Sequence, residues 1–326
     1  MLICHFIEVF SLFDISNSVL SNSNQHTIKR SISCRGVGLH SGVVVNLSFS
    51  PADPNTGILF VYNKPGYEKE IIKGSYQNVV STKLSTNLGK EGNVIISTVE
   101  HLMSAFHGCG VDNLVVEVDG PEIPIMDGSA NAFASLIEYA GIEAQSQKRK
   151  VIKINKAIEI KDNDSFIRME PSNSDDLVIN FAIEYKDLLI KKQSYRYSLI
   201  NDDFKDDICN ARTYGFESDV NKLREAGFAK GGSLENAIVV SGNRVLNKGG
   251  LRYKDEFVRH KILDLLGDLY LSGYRISANV FAEKSGHSLN NQLVHEIFKQ
   301  RSCWNFQEES FERPHNWQSN GLAALA

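Results

Sequence analysis

The stretch Glu256-Phe-Val-Arg-His-Lys-Ile-Leu-Asp264 sets a histidine and an aspartate four positions apart. Read as a helix, it places His260 and Asp264 one turn apart on one face, about the separation that a tetrahedral ion bridges. Neutral imidazole and carboxylate are both ordinary zinc donors. Asp268 continues the stripe. A lone His-x-x-x-Asp equally describes a solvated charged face. Here Val258, Ile262, Leu263, Leu265, Leu266 and Leu269 surround the pair, so the helix reads as largely buried, and buried polar groups need a partner or a metal.

A catalytic zinc commonly takes three protein ligands and keeps a fourth position open, so a third donor and an acid/base group should lie elsewhere. In Ser97-Thr-Val-Glu-His-Leu-Met-Ser-Ala-Phe106, adjacent Glu100 and His101 open an apolar-periodic helix. At a helix start, the ~100° between neighbours still lets both side chains reach one small volume. Ser97-x-x-Glu100 also matches a capping box, in which Glu100 only satisfies a backbone donor, and both roles stay open. His287, in Lys284-Ser-Gly-His-Ser-Leu-Asn-Asn291, sits in a Gly-containing loop entering a helix, with Ser288 as the expected cap. A histidine there can protonate a leaving amine near neutral pH. His5, His26, His40, His107, His295 and His315 have no persuasive ligand spacing, and surface or core roles are expected for them.

The elements that must position these residues come in two similar runs. His101 opens a helix, Asn113–Asp119 reads as a strand, and Asp127-Gly-Ser-Ala130 begins a second helix. His260 lies in a helix, Arg275–Phe281 alternates as a strand, and Gly286-His-Ser-Leu289 begins the last helix. The separation of His101 from Ser129 equals that of His260 from Ser288. Self-similarity of this kind points to a duplicated unit. If equivalent helices pack across a pseudo-twofold, His101 and His260 face one interface.

Ser97-Thr-Val-Glu-His-Leu102, Pro121-Glu-Ile-Pro-Ile-Met-Asp-Gly-Ser-Ala130, Ala211-Arg-Thr-Tyr-Gly-Phe216, Phe257-Val-Arg-His-Lys-Ile-Leu-Asp264 and Lys284-Ser-Gly-His287 together resemble the UDP-3-O-acyl-N-acetylglucosamine deacetylase family of lipid A biosynthesis. The motifs run in order from about Thr27 to about Gln300. The resemblance implies an α+β fold of two similar domains, each of helices layered on a β-sheet, with the active site in the cleft between them. It implies one catalytic zinc ion held by His101, His260 and Asp264, Glu100 as general base and His287 as general acid. Lys261 and Asp268 are implied as electrostatic support, the lysine toward substrate or developing negative charge and the aspartate toward His287. Thr213 is implied as an oxyanion donor. Tyr214 stands where the family usually has Phe, so its added hydroxyl needs water or a partner. Leu84 resembles a cleft-lining residue, with ordinary core packing the alternative. Residues 214–240 resemble the family's inserted β-α-β unit that holds the acyl chain. Phe216, Leu223, Phe228, Ala229 and Ile238 are candidates for its wall, or for core. The implied reaction is zinc-assisted hydrolysis of the N-acetyl group of a lipid-linked nucleotide sugar, giving acetate and the free amine.

Composition bounds the rest. With 326 residues, 42% of them hydrophobic, the chain can bury one large core or two ordinary ones, and the repeat favours two. A net charge of −4 argues against a dedicated nucleic-acid binder. Five cysteines, odd in number and without a C-x-x-C pair, indicate neither a disulfide framework nor a cysteine zinc site. A reducing, cytoplasmic setting follows, with a monomer expected. No apolar run reaches the roughly twenty residues needed to span a bilayer.

Residues 1–26 begin apolar at Met1–Phe10, without a basic n-region and with Glu8 interrupting, and read as a poorly structured extension rather than a signal peptide. Residues 27–148 form the expected first domain and 149–300 the second, with the boundary at Lys148-Arg-Lys150 and a strand over 151–160. Residues 301–326, with Trp304, Phe311 and Trp317, read as an irregular tail. Two other function classes compete: a zinc amidohydrolase for a different N-acyl sugar, and a non-catalytic binding module on the same layers.

Overall fold

A computed structural model describes residues 23–66, 68–186 and 189–309. Met1–Phe10, Phe311 and Trp317, on which part of the reading of the two ends rests, lie outside the described residues. Among the described residues the α-helices are α1 (Glu100–Cys109), α2 (Asn131–Ala140), α3 (Glu217–Glu225), α4 (Glu256–Tyr270) and α5 (His287–Lys299).

The first half builds a five-stranded sheet in the order Ile32–Val37, Val44–Pro51, Leu114–Val118, Ile58–Tyr62, Glu70–Lys73. Alternation makes it one-sided: Val45, Leu47 and Phe49 are buried while Val44 and Asn46 are exposed, as a period of two requires. The buried face meets α1, with the Phe106 ring edge-on to Phe49 at 5.5 Å. The second half centres on the strand Arg275–Glu283. It runs parallel to Leu177–Glu184 on one side and pairs with Ser165–Glu170 and Lys150–Ile154 on the other. Here α4 covers Leu177–Glu184 and Lys192–Ser198, and α5 covers Ile158–Asp162 and Ser165–Glu170. Each half thus reads helix, strand, helix over a sheet, and the whole is α+β.

The two halves meet at α1 against α4. The approach is close because of Gly267, where an added Cβ would lie 2.0 Å from the carbonyl oxygen of Glu100. His107 stacks on Tyr270 at 4.5 Å, and its Nδ1 lies 3.1 Å from the Leu266 carbonyl oxygen. Arg149, between the strands Ile142–Lys148 and Lys150–Ile154, is 4% exposed and ion-paired with Asp112 of the first half and Glu309 near the chain's end.

Three readings are corrected. The poorly structured extension does not run to residue 26, because Asn24–Ile28 is a strand antiparallel to Ile142–Lys148, with Gln25 and His26 buried. The strand over 151–160 is two strands, Lys150–Ile154 and Ile158–Asp162, because the Asn155 and Lys156 backbone N–H groups both turn to the Cys303 carbonyl. The beginning of the expected irregular tail is regular. Arg301–Cys303 is a 3-10 turn, and Trp304–Glu308 adds an edge strand antiparallel to Lys150–Ile154. A five-residue strand with one buried anchor leaves little periodicity to read. That anchor is Trp304, whose Nε1 donates to the Ile297 carbonyl at 2.7 Å.

Two small three-stranded sheets flank the helix pair. One is Val79–Ser81, Asn87–Lys90 and Asn93–Ile96; the other is Tyr214–Phe216, Ile238–Ser241 and Arg244–Val245. In the second, the first two strands are parallel and joined through α3, which buries no residue.

Candidate metal and proton-transfer site

His101, His260 and Asp264 are all buried and offer ligand atoms within 4.8 Å of one another. α1 supplies the first from its opening turn, and α4 supplies the other two from one face, so the close packing of these helices assembles the group. Asp264 Oδ1 lies 3.5 Å from His101 Nε2 and 3.3 Å from His260 Nε2. A tetrahedral ion with bonds of about 2.0–2.1 Å holds its ligand atoms about 3.3 to 3.4 Å apart. The same Oδ1 is buried with no hydrogen-bond partner, the condition expected of a ligand atom. His260 is oriented by its Nδ1, 3.0 Å from the Ala211 carbonyl oxygen, which leaves Nε2 facing Asp264. Burial lowers the His260 pKa to about 3, so the ring is the neutral donor a metal needs. Burial opposes ionisation of Asp264, but the neighbouring His260 and Lys261 outweigh it and hold the carboxyl well below its usual range. These three residues therefore form a buried group fitted to a small tetrahedral cation.

Glu100 stands beside this group. It is not a capping-box residue: α1 has no side-chain N-cap, and the Ser97 N–H goes to the Pro121 carbonyl. Glu100 Oε2 instead accepts the Thr86 N–H at 2.9 Å, and Oε1 lies 3.7 Å from His287 Nε2. Burial raises its pKa. The other ring nitrogen of His287, Nδ1, lies 2.9 Å from Asp268 Oδ2. Burial alone would lower the His287 pKa, but the Asp268 and Glu100 carboxylates reverse this and lift it to about 9. A proton acceptor and a proton donor thus face one another next to a cation-sized cluster. Ser288 does not cap α5, whose N-cap is Gly286; its hydroxyl accepts from Gln292.

These groups line a cavity of about 180 Å³ together with Leu39, His40, Leu84, Thr98, Ile125, Tyr185, Thr213, Tyr214 and Lys261. Leu84 is 46% exposed with φ 64°, which excludes core packing. Tyr214 presents its hydroxyl to the Tyr185 hydroxyl at 2.9 Å and its ring edge-on to Phe257 at 4.9 Å. Lys261 Nζ donates to Asp264 Oδ2 at 2.5 Å. Asp268 is behind the wall and reaches the cavity only through His287. Phe216 and Phe228 are not part of this cavity. Phe216 lies against the Tyr185 ring, and Phe228 packs edge-on to His40 at 5.5 Å with Lys83 Nζ over its face. Ile238 is core, with no exposure.

His40 was expected at the surface or in the core, and it lines the cavity instead. Its backbone N–H and that of Ser41 donate to the buried Glu122 carboxylate, which holds the turn over the site. The flanking glycines in Gly36-Val-Gly-Leu-His-Ser-Gly42 were the available signal, but a turn glycine does not say what its neighbour faces. Thr86 and Asn290, which hold the carboxylates in place, carried no spacing signal at all.

A family model described as UDP-3-O-acyl N-acetylglycosamine deacetylase matches residues 25–299. A protein of Syntrophus aciditrophicus is 44% identical over 280 residues, covering 86% of this chain and 88% of that protein. One of Myxococcus xanthus is 45% identical over 284 residues, covering 87% and 89%, and one of Nitratiruptor is 43% identical over 286 residues, covering 88% and 94%. All three bear the name UDP-3-O-acyl-N-acetylglucosamine deacetylase.

Proposed function

The chain belongs to the UDP-3-O-acyl N-acetylglycosamine deacetylase family, and from that premise we infer that it hydrolyses the N-acetyl group of UDP-3-O-acyl-N-acetylglucosamine in lipid A biosynthesis, releasing acetate. The observation that carries this is one cavity lined by a buried His101, His260 and Asp264 cluster, Glu100 and His287. We assign the cluster to zinc, which when bound supplies the Lewis acidity that polarises the amide carbonyl and eases deprotonation of water. Glu100 takes the proton of the attacking water through Oε1, the oxygen left facing the cavity. His287, protonated at neutral pH, gives its proton from Nε2 to the departing sugar nitrogen. Asp268 fixes the ring and balances its charge. The Thr213 hydroxyl and Lys261 ammonium stabilise the negative charge that develops on the carbonyl oxygen, and Leu84 and Tyr214, which line the cavity, contact the substrate. Phe216 and Phe228 belong to the acyl passage.

We infer action in the cytoplasm as a monomer. The free thiols of Cys34, Cys109, Cys209 and Cys303 support the first. No helix of the described residues is long and apolar enough to cross a membrane. The test is acetate release by the purified protein from UDP-3-O-acyl-N-acetylglucosamine, before and after chelation and after zinc is returned. About one zinc per chain and activity that follows zinc are expected. Full metal content in His260→Ala and Asp264→Ala would sink the assignment.

A further inference from the structure

Thr86 opens the strand Asn87–Lys90 from the preceding position and is 1% exposed. Its carbonyl accepts the Val99 N–H, one residue before Glu100, which fixes it against the first turn of α1. Its own N–H donates to Glu100 Oε2 at 2.9 Å, and its hydroxyl donates to Asp268 Oδ1 at 2.6 Å. Those two carboxylates are the ones that the ring nitrogens of His287 face, Nε2 toward Glu100 Oε1 at 3.7 Å and Nδ1 toward Asp268 Oδ2 at 2.9 Å. A closed ring results: Thr86, Glu100, His287, Asp268 and back to Thr86.

We propose that Thr86 is a positioning residue for the deacetylation, setting the separation and orientation of the proton acceptor Glu100 and the proton donor His287 without touching substrate. The hydroxyl has one proton, and Asp268 takes it. Asp268 Oδ2 is already engaged by His287 and by Asn290 Nδ2 at 2.8 Å, so Oδ1 depends on Thr86. Asn290 is itself held by the Ser285 hydroxyl at 2.7 Å. With both Asp268 oxygens tethered, the carboxylate cannot rotate, and the imidazole it holds keeps Nε2 on the cavity. The backbone N–H of Thr86 binds Glu100 Oε2 and leaves Oε1 as the one free oxygen. Thr86 comes from the first half and Asp268 from the second, so the residue registers the two halves where protons move. A displacement of about 1 Å in such a constellation costs on the order of 10²-fold in rate.

The proposal rests on the roles given above to Glu100 and His287, and the experiment separates the two. Zinc-loaded wild type, Thr86→Val, Thr86→Ser, Asp268→Asn and the Thr86→Val/Asp268→Asn double variant are compared for kcat, KM, zinc content and melting temperature, with Glu100→Gln as reference. Thr86→Val keeps the backbone donor and the shape but loses the hydroxyl; Thr86→Ala replaces it should the valine variant not fold. The expected result is a kcat loss of about tenfold or more with KM within about threefold, zinc content unchanged and most activity recovered in Thr86→Ser. Acting through one path, the double variant should be no worse than Asp268→Asn alone. A smaller loss, a loss carried by KM or by missing zinc, an equally poor Thr86→Ser, or multiplied losses in the double variant would each overturn it. Full activity in Glu100→Gln, or none in wild type, would bring down the reading of the site and this proposal with it. Failure of the Thr86 variants alone leaves that reading standing.

Discussion

Burial disfavours the charged form of both Glu100 and His287, and what differs is how strongly the neighbouring charges oppose it. For Glu100 the dominant influence is desolvation, which raises its pKa and makes it a better base than a solvated carboxylate. For His287 two carboxylates overcome desolvation. Glu100→Gln keeps the Thr86 N–H bonded to an amide oxygen, so melting temperature should change little while kcat falls at least about 10²-fold, the usual contribution of a general base. Proportionate loss of folded protein would instead mark a structural role. The pH profile tests His287. Its pKa is raised from 6.5 to about 9, so the proton is present below that value and lost as pH rises through it. The basic limb of kcat/KM should therefore lie between 6.5 and 9, since the charge of a bound cation pulls down from the upper value. Asp268→Asn removes the charge that raises the pKa and should move the limb to lower pH. A limb that stays put in that variant would exclude His287 as its source.

At the scale of elements, α1 and α4 are brought together by a missing side chain. A Cβ at Gly267 would overlap the Glu100 backbone, and the neighbour is helix main chain, which cannot swing aside. Gly267→Ala should therefore push the helices apart, costing about 1 to 3 kcal/mol as overpacking does, and should lower zinc content as well as kcat. Unchanged metal content and melting temperature would show that the helices slide without cost. The β-α-β unit from Tyr214 to Ser241 makes a different prediction, because α3 buries none of its residues and Phe228 lies outside the cavity. Phe228→Asp should weaken a long-chain substrate strongly, since each methylene moved out of water contributes about 0.8 kcal/mol. Turnover of UDP-N-acetylglucosamine lacking the acyl group should be spared. Equal losses on both substrates would place the acyl passage elsewhere.

Across the whole molecule the two halves are pinned by α1 on α4 and by Arg149. This guanidinium binds Asp112 and Glu309 and is buried. Burial would lower its pKa, but the two carboxylates raise it further above its already high value, so it stays charged throughout. Arg149→Leu would leave the partly buried Asp112 carboxylate without its cation and Glu309 with only Arg275; removing one partner of a buried pair typically costs about 3 to 5 kcal/mol. Chemical denaturation should report a loss of that size, and a loss below about 1 kcal/mol would show that water replaces the cation freely.

His260 and Asp264 were legible because a helix carries its own ruler: residues four apart share a face whatever lies around them. Glu100, His101 and His287 were legible as candidates for the same reason, each marking the start of an apolar-periodic run, and the ordered motifs joined them into one family. The duplication was visible as matched spacing. Glu100 as cap or base was not decidable from Ser97-x-x-Glu100, because that choice turns on where the Thr86 N–H points, and Thr86 is brought there by a separate strand. The roles of Thr86, Asn290 and His40 belong to pairings between residues 14 to 182 positions apart, which leave no local periodicity. The strand Trp304–Glu308 was hidden likewise, since an edge strand exists only against the neighbour that receives it. Local spacing fixed which side chains each helix presents; the packing of α1 on α4 decided that they meet, and Gly267 is the physical reason they can.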